Sequence, residues 1–312
     1  MTGSSPATAI VAEEMRRTFG DVVAVDNISL AVPRGSVLGL LGVNGAGKTT
    51  MVRMLATVLK PDSGRASVHG FDVITQPRDV RRSIGLAGQS AAVDENLTGR
   101  ENLELVGRLS HIGRSKSRDR AGELLDQFGL VDAGNRPVRT YSGGMRRRLD
   151  LGAALVANPP VLFLDEPTTG LDPASRLDLW GVIESLVSDG TTVLLTTQYL
   201  EEADRLADNI VVIDRGLIAA EGTAKQLKGR LGDTVIEFEF ASPDIATSAA
   251  TTLGGTVSAG TVVRLVMTNG PATLRDAMNQ LATADITPSH VALREPTLDD
   301  VFLTLTGGGV TS

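Results

Sequence analysis

The chain has 312 residues, of which 42% are hydrophobic, 21% charged and 3% aromatic. This length suits one large domain with a smaller one, and the composition excludes a wholly disordered, collagenous or coiled-coil protein. Cysteine is absent, which excludes thiolate catalysis, disulfides and cysteine-based metal sites. We expect a chain that is neither secreted nor membrane-spanning by itself, because it shows neither a signal-peptide pattern nor 18 uninterrupted apolar residues.

The net charge of −7 is unevenly distributed along the chain. Residues 231–312 carry nine acids against three bases, which leaves the preceding part nearly neutral. Nucleic-acid binding depends on clustered positive charge, so we expect no nucleic-acid partner. The three histidines, His69, His111 and His290, are scattered and do not predict a metal site.

The pattern of the chain changes around residues 222–233, where we place a domain boundary. We therefore predict one domain over 1–230 and a second over 231–312. In the first, apolar strands such as those at 37–41 and 161–164 alternate with helical stretches, which is typical of an α/β fold with a mostly parallel sheet covered by helices.

A helical subdomain is predicted at about 95–157, where the strand signal disappears. One helix opens at Thr98, and Glu101 three positions later gives the spacing of a capping box. A second helix is predicted at about 117–128, because its apolar residues recur at helical spacing up to Gly129.

The second domain is predicted to be a small α+β accessory domain. Residues 234–240 and 262–267 have strand patterns, and 272–282 has a helical one. A last helix is predicted at 297–306, with four apolar residues forming a candidate contact stripe: Leu298, Val301, Phe302 and Leu305. This domain carries no catalytic constellation in its sequence.

The strand at 37–41 runs directly into a P-loop pattern, G-x-x-x-x-G-K-[ST]. Glycines allow backbone N–H groups to surround an anion, and the following helix contributes its positive N-terminal end. Lys48 supplies a charge for the outer phosphates, and the Thr49 hydroxyl can hold Mg²⁺. We therefore predict ATP and Mg²⁺ as cofactors, with the nucleotide bound by Gly42, Asn44, Gly45, Ala46, Gly47, Lys48, Thr49 and Thr50.

The strand at 161–164 ends in two acids, Asp165 and Glu166, which fits a Walker B strand. Asp165 is predicted to hold Mg²⁺, and Glu166 to polarise the water that attacks the γ-phosphate. We expect no metal other than Mg²⁺.

A third motif lies before that strand and resembles the signature sequence of ABC ATPases: Tyr141, Ser142, Gly143, Gly144 and Met145. A hydroxyl and glycine N–H groups at a helix start again suit an anion. The three motifs in this order identify residues 10 to about 225 as similar to ABC ATPases. The resemblance implies a P-loop NTPase fold with a RecA-like core and a helical subdomain.

The same resemblance implies roles for further residues. Phe19 would stack on adenine, and Gln89 would be the Q-loop glutamine, a ligand of metal and water. The D-loop would be formed by Gly170, Leu171 and Asp172. Two copies would pair head to tail, so that the signature of one closes over the ATP of the other. The catalytic residues would be Glu166, Gln198, Lys48 and Gln89.

Gln198 is a departure from the family pattern, which has a histidine at this position. A glutamine can hydrogen-bond the γ-phosphate or position water, but it cannot carry a positive charge. We expect ATP turnover to tolerate Gln198→His but not Glu166→Gln.

Longer segments resemble the daunorubicin-resistance type of ATP-binding subunit, including LLGVNGAGKTTMVRML, TYSGGMRRRLDL and REPTLDDVFLTLTG. The resemblance implies an ATP-hydrolysing subunit of an ABC-2 type exporter that moves an anthracycline-like drug or antibiotic. Its partner would be a separate membrane permease of about six helices, and it would lie peripherally on the cytoplasmic face of the cell membrane.

Two alternatives stay open at this point. One is an exporter of complex envelope lipids or polysaccharide, because the membrane partner selects most of the cargo. The other is an ABC ATPase that acts on ribosomes or DNA. The signature helix carries a run of three bases, Arg146, Arg147 and Arg148. Three interpretations stay open for them: contact with phosphates, contact with the partner, or a solvated helix face.

Overall fold

The computed structural model describes residues 8–88, 93–230, 234–258, 260–267 and 270–305. The chain divides into two compact units, Met1–Ala224 and Lys225–Ser312. The first unit contains ten strands in its described part: β1 (Thr8–Phe19), β2 (Val22–Pro33), β3 (Val37–Leu41), β4 (Ser63–Val68), β5 (Phe71–Asp72), β6 (Ile84–Ala87), β7 (Val161–Asp165), β8 (Thr192–Thr197), β9 (Asn209–Asp214) and β10 (Leu217–Gly222).

Helices connect these strands, and an eighth helix begins at the unit boundary. In chain order they are α1 (Lys48–Leu55), α2 (Pro77–Ser83), α3 (Gly99–Leu109), α4 (Arg114–Gln127), α5 (Gly143–Ala154), α6 (Pro173–Ser188), α7 (Leu200–Leu206) and α8 (Ala224–Gly229).

The central sheet has six strands in the order β10-β9-β3-β8-β7-β6, all parallel except the antiparallel edge strand β10. Every residue of β3, β7 and β8 is buried. Continuous apolar strands of this kind are expected where helices cover both faces of a parallel sheet. The predicted α/β fold with a mostly parallel sheet is therefore confirmed.

A second, antiparallel sheet in the first unit has the order β2-β1-β4-β5. The sequence analysis did not anticipate it. Buried and exposed residues alternate along the second half of β2, as expected where one face of a sheet packs on a core and the other meets solvent. Ile10 and Met15 of β1 share this core with Met51 and Met54 of α1, so the sheet holds the P-loop helix from one side.

The predicted helical insert consists of α3, α4 and α5. The capping box is confirmed: the Thr98 hydroxyl accepts from the Glu101 N–H at 3.1 Å, and the Glu101 carboxylate accepts from the Thr98 N–H at 2.8 Å. On α4 the side chains at the predicted apolar positions, including Leu124 and Leu125, are buried, and the chain turns at Gly129 with a φ of 61°.

The second unit contains a four-stranded antiparallel sheet of order β12-β13-β11-β14. Its elements are β11 (Val235–Glu239), α9 (Pro243–Leu253), β12 (Thr256–Val257), β13 (Val262–Val266), α10 (Pro271–Thr283), β14 (His290–Arg294) and α11 (Leu298–Leu305). Phe238 and Phe240 form a buried core with Leu281 of α10. Two residues of the candidate contact stripe, Leu298 and Val301, are each 3% exposed. The chain itself therefore buries them, without a partner.

None of the helices in the described ranges has the length and apolar character needed to cross a bilayer.

Removing the capping box should weaken the first unit. Thr98→Ala leaves the Glu101 N–H without its hydroxyl acceptor, and we expect the free energy of unfolding to fall by about 1 kcal/mol. Trp180, the only tryptophan of the chain, is buried in this unit, so its fluorescence during urea unfolding reports this unit. Ser185→Ala, at an exposed position of α6, should not lower the unfolding midpoint. Equal midpoints for Thr98→Ala and the unchanged chain would contradict a stabilising cap.

Candidate functional site: a phosphate-binding loop and a buried acid pair

The site lies at the carboxyl ends of parallel strands. Leu41 of β3 is in register with Thr197 of β8, and Asp165 of β7 is in register with Thr196. Parallel strands end at the same edge of a sheet, so the loops that follow them converge there. The P-loop, the two acids and Gln198 are thereby brought to one edge.

Two glycines of the P-loop are required by close packing. A Cβ on Gly47 would lie 2.3 Å from the carbonyl oxygen of Ala24, and one on Gly42 would lie 2.4 Å from that of Ile213. Gly47 also has a φ of 112°, which L side chains rarely adopt. Its tight turn sets the start of α1 at Lys48.

Lys48 is 4% exposed and points back into the loop. Its Nζ donates to the carbonyl oxygens of Gly42 at 2.7 Å and Val43 at 3.1 Å. The Glu166 carboxylate lies 3.6 Å from Nζ. Burial lowers the pKa of Lys48, and the neighbouring charge of Glu166 opposes that shift. The ammonium group is thus held at the mouth of the loop, where a phosphate would meet it.

Asp165 joins three elements through one oxygen. Its Oδ1 accepts from the hydroxyl of Thr49 at 3.0 Å and from that of Thr196 at 2.5 Å. The side chain is buried. The predicted magnesium residues Thr49 and Asp165 are therefore adjacent, whereas Gln89, the third, lies outside the described residues.

Glu166 has an unusual backbone. Its φ is 52°, in the left-handed region that is uncommon for residues other than glycine. Its N–H donates to the carbonyl oxygen of Thr196 at 3.0 Å, and its carboxylate faces Lys48. Strained backbone of this kind occurs often at active sites, where surrounding structure holds it in place.

Lys48, Thr49 and Glu166 line a cavity of about 770 Å³, within the usual range for small-molecule sites. Its wall is completed by other residues of the P-loop, the D-loop and the segment before it, the signature helix and the β8–α7 loop. Together the lining residues are Asn44, Gly45, Gly47, Lys48, Thr49, Thr50, Gly143, Arg146, Arg147, Asp150, Glu166, Thr169, Gly170, Leu171 and Gln198.

The signature residues differ in exposure. Ser142 is exposed and caps α5, because its hydroxyl accepts from the Met145 N–H at 3.2 Å. Gly143 is exposed at the helix start, and Met145 is partly buried against the core. Tyr141 is buried, and its hydroxyl donates to the Ala133 carbonyl oxygen at 2.7 Å.

The signature lies next to Ser175 of α6, a residue that hydrogen-bonds to the D-loop. A Cβ on Gly144 would lie 2.7 Å from the Ser175 hydroxyl. That hydroxyl donates to Asp172, the D-loop residue that caps α6 by accepting from the Ser175 N–H. Gly144 and Asp172 therefore share Ser175 as a neighbour.

Phe19 lies at the end of β1 and is 47% exposed, with the Arg17 guanidinium 4.9 Å from its ring centroid. Among the described residues, Phe19 does not line the cavity. Its assignment to adenine stacking stays a prediction.

Two residues near the site, Thr196 and Glu202, were missed from the sequence, and the role of Arg147 was left open there. The register of β7 and β8 that places Thr196 beside Asp165 is visible only in the fold. The i,i+3 spacing of Arg147 and Asp150 on α5 indicates an ion pair but not the carbonyl partners of Arg147. Glu202 gave no signal, because it reads as a surface acid of α7. It is fully buried, and its Oε1 accepts from the Trp180 indole N–H at 3.0 Å.

The geometry defines an ATP-binding protein of the P-loop class. A family profile described as ABC transporter matches residues 25–169. The chain is similar to a solved ATP binding subunit of an ABC transporter, with a TM-score of 0.65 and 25% identity over 72% of this chain and 93% of that one. A dimeric ATP-binding cassette bound to ADP and Pi matches with a TM-score of 0.63 and 25% identity, over 69% and 98%.

Relatives match almost the whole chain. A daunorubicin resistance ATP-binding protein of Streptomyces coeruleorubidus is 52% identical, covering 96% of each chain. The daunorubicin/doxorubicin resistance ATP-binding protein of Streptomyces peucetius is 47% identical over 97% of this chain and 94% of its own. The chain therefore belongs to the ATP-binding proteins of ABC transporters, in the daunorubicin-resistance group, and it is an ATPase.

The buried carboxyl group of Glu202 should make stability depend on pH. Burial raises the pKa of Glu202, so the folded unit binds this proton more tightly than the unfolded chain does. The resulting stability is fully present below the unfolded pKa and is lost as pH rises through the folded value. We expect Glu202→Gln to stabilise the first unit more at pH 8 than at pH 5, relative to the unchanged chain.

Urea midpoints followed by Trp180 fluorescence at both pH values measure this difference. Glu201→Gln, at an exposed position of the same helix, should show no such pH dependence. A Glu202→Gln effect that is the same at pH 5 and pH 8 would contradict the raised pKa.

Proposed function

We propose that this chain hydrolyses Mg²⁺-bound ATP and powers export of an anthracycline-like drug or antibiotic through a separate membrane permease. The observation that carries the cargo class is the 52% identity, over 96% of both chains, to a daunorubicin resistance ATP-binding protein. The permease, of about six helices, would place this subunit peripherally on the cytoplasmic face of the cell membrane.

The P-loop is proposed to bind the nucleotide phosphates. Its backbone N–H groups and the start of α1 suit the β- and γ-phosphates. Lys48, already at the loop mouth, would place its charge on the transferred phosphoryl group. Phe19 would stack on adenine from outside the cavity. These contacts favour the transition state, in which negative charge spreads over the γ-phosphoryl oxygens.

The residues around Asp165 fit a magnesium ion. Mg²⁺ takes oxygen ligands and is usually held by one or two carboxylates together with water and phosphate. The Thr49 hydroxyl and Asp165 carboxylate supply such oxygens 3.0 Å apart, and Gln89 is proposed as a further ligand. A bound ion would neutralise phosphate charge and orient the leaving group.

Glu166 is proposed to accept a hydrogen bond from the attacking water. Water would attack the γ-phosphorus and pass its proton to Glu166 as the bond to the bridging oxygen breaks, and ADP and inorganic phosphate would leave. Gln198, which lines the cavity, would hydrogen-bond the γ-phosphate as a neutral sensor.

Two copies are proposed to form the complete enzyme. Gly143 at the exposed start of α5 suits the phosphates of a second copy's nucleotide. The solved dimeric cassette supports this arrangement. The D-loop residues 170–172 would lie at the same dimer contact. The assignment of 1–230 as ATP-binding domain and 231–312 as accessory domain stays a prediction.

A second cargo has weaker support. A Nod factor export ATP-binding protein of Ralstonia nicotianae is 36% identical over 98% of this chain, so relatives of this length also serve export outside drug resistance. We keep envelope lipids or polysaccharide as the alternative cargo. The relatives' names favour transport over the ribosome or DNA role.

Glu166→Gln should lower turnover strongly, to a small but measurable residual rate, while leaving ATP binding intact. The change removes the charge that orients water, and general bases contribute roughly 10²–10⁴-fold. Phosphate release measures turnover, and a fluorescent ATP analogue measures binding. Glu201→Gln should behave as the unchanged chain. Equal turnover by Glu166→Gln and the unchanged chain would overturn the assignment.

The cargo is tested in cells that lack this protein and are complemented with either the unchanged chain or Glu166→Gln. Intracellular retention of an aromatic antibiotic, reversed only by the unchanged chain, is the expected result. Loss of a surface lipid with unchanged drug retention would instead identify a lipid exporter and reject the drug assignment.

A further inference from the structure

Arg147 is a buried cation on the signature helix. Its side chain is 14% exposed, although it stands in a run of three arginines. Asp150, one helical turn further along α5 and 2% exposed, lies 3.5 Å from its guanidinium. A buried guanidinium needs both a counter-charge and hydrogen-bond acceptors. The acceptors of Arg147 identify the segments of backbone that this side chain fixes.

The guanidinium donates to a series of backbone carbonyls around the acid pair. One N–H donates to the Glu166 oxygen at 2.8 Å, and another to the Pro167 oxygen at 2.5 Å. The Asp165 oxygen lies at 3.3 Å. Arg147 also donates to the carbonyl oxygen of Gly88, the residue that directly follows β6. One side chain thus ties α5 to the ends of two strands.

These bonds fall where the backbone is strained. Glu166 is held at a φ of 52°, and on each side of it a carbonyl accepts from Arg147. The left-handed conformation turns the Glu166 carboxylate towards Lys48, 3.6 Å away. Without the hydrogen bonds from Arg147, Glu166 would relax towards the common range of φ. Its carboxylate would then move away from its position beside Lys48.

We propose that Arg147 is a positioning residue that holds the backbone of Glu166, and with it the carboxylate, in the geometry required for hydrolysis. Its guanidinium is engaged by backbone carbonyls and by Asp150, so it acts through Glu166. The proposal rests on the proposed role of Glu166. Its place on α5, five residues after Ser142, also links the signature helix mechanically to the acid pair of the same chain.

The test compares Arg147→Met and Arg147→Lys in the full chain. The methionine removes all donors, and a misplaced catalytic group can cost about 10²-fold in rate. We expect kcat to fall about 100-fold with Arg147→Met, while KM for ATP changes less than about threefold. Arg147→Lys, which keeps the charge beside Asp150 and some donors, should restore about a tenth of the activity. Arg118→Met, exposed on α4, is the matched control and should leave both constants unchanged.

A double variant separates positioning from general damage. If Arg147 acts through Glu166, adding Arg147→Met to Glu166→Gln should lower the residual turnover no further, because coupled changes are not additive. A further fall of the same size would overturn the proposal. So would equal losses in kcat and in binding of a fluorescent ATP analogue. If Trp180 fluorescence shows that Arg147→Met does not fold, the kcat of Arg147→Lys tests the proposal instead. A kcat equal to that of the unchanged chain would then overturn it.

The two proposals fail differently. Normal turnover in Arg147→Met and Arg147→Lys, with strongly lowered turnover in Glu166→Gln, would reject the positioning role and leave the role of Glu166 intact. Turnover unaffected by Glu166→Gln would reject both.

Discussion

The site depends on one buried carboxylate oxygen. Asp165 Oδ1 accepts from a hydroxyl on α1 and another on β8, while Asp165 itself ends β7. Buried polar groups must be paired, and these bonds satisfy the carboxylate only when all three elements are in register. The P-loop, the acid pair and the Gln198 loop therefore keep one arrangement, the one proposed to hold a magnesium ion and phosphates.

The surrounding structure holds this arrangement from two sides. The antiparallel sheet packs on α1 from one direction. From the other, α5 reaches the strand ends through Arg147 and the D-loop through Gly144 and Ser175. The helix that begins at the signature is thus in contact with the residues proposed to act on the chain's own nucleotide. In a head-to-tail dimer, the same helix would face the nucleotide of the other copy.

The chemistry at Gln198 sets this chain apart from the histidine pattern of ABC ATPases. A glutamine has both a donor and an acceptor but stays neutral at every physiological pH. The charged residues that line the cavity are Lys48, Arg146 and Arg147 against Asp150 and Glu166. Sensing of the γ-phosphate would depend on hydrogen bonding alone, without a titrating switch.

The sequence by itself determined the parallel fold, the P-loop, the acid pair, the signature and the capping box at Thr98. Each was readable from residue types at fixed local spacings, whereas the order in which the parallel strands pair was not. Tertiary structure alone decided the roles of Thr196, Glu202 and Arg147. A threonine in a strand, a glutamate in a helix and the middle one of three arginines look ordinary in sequence. Their burial and partners depend on how distant segments pack, because hydrogen bonds such as that from Arg147 to Glu166 join residues that only the fold brings together.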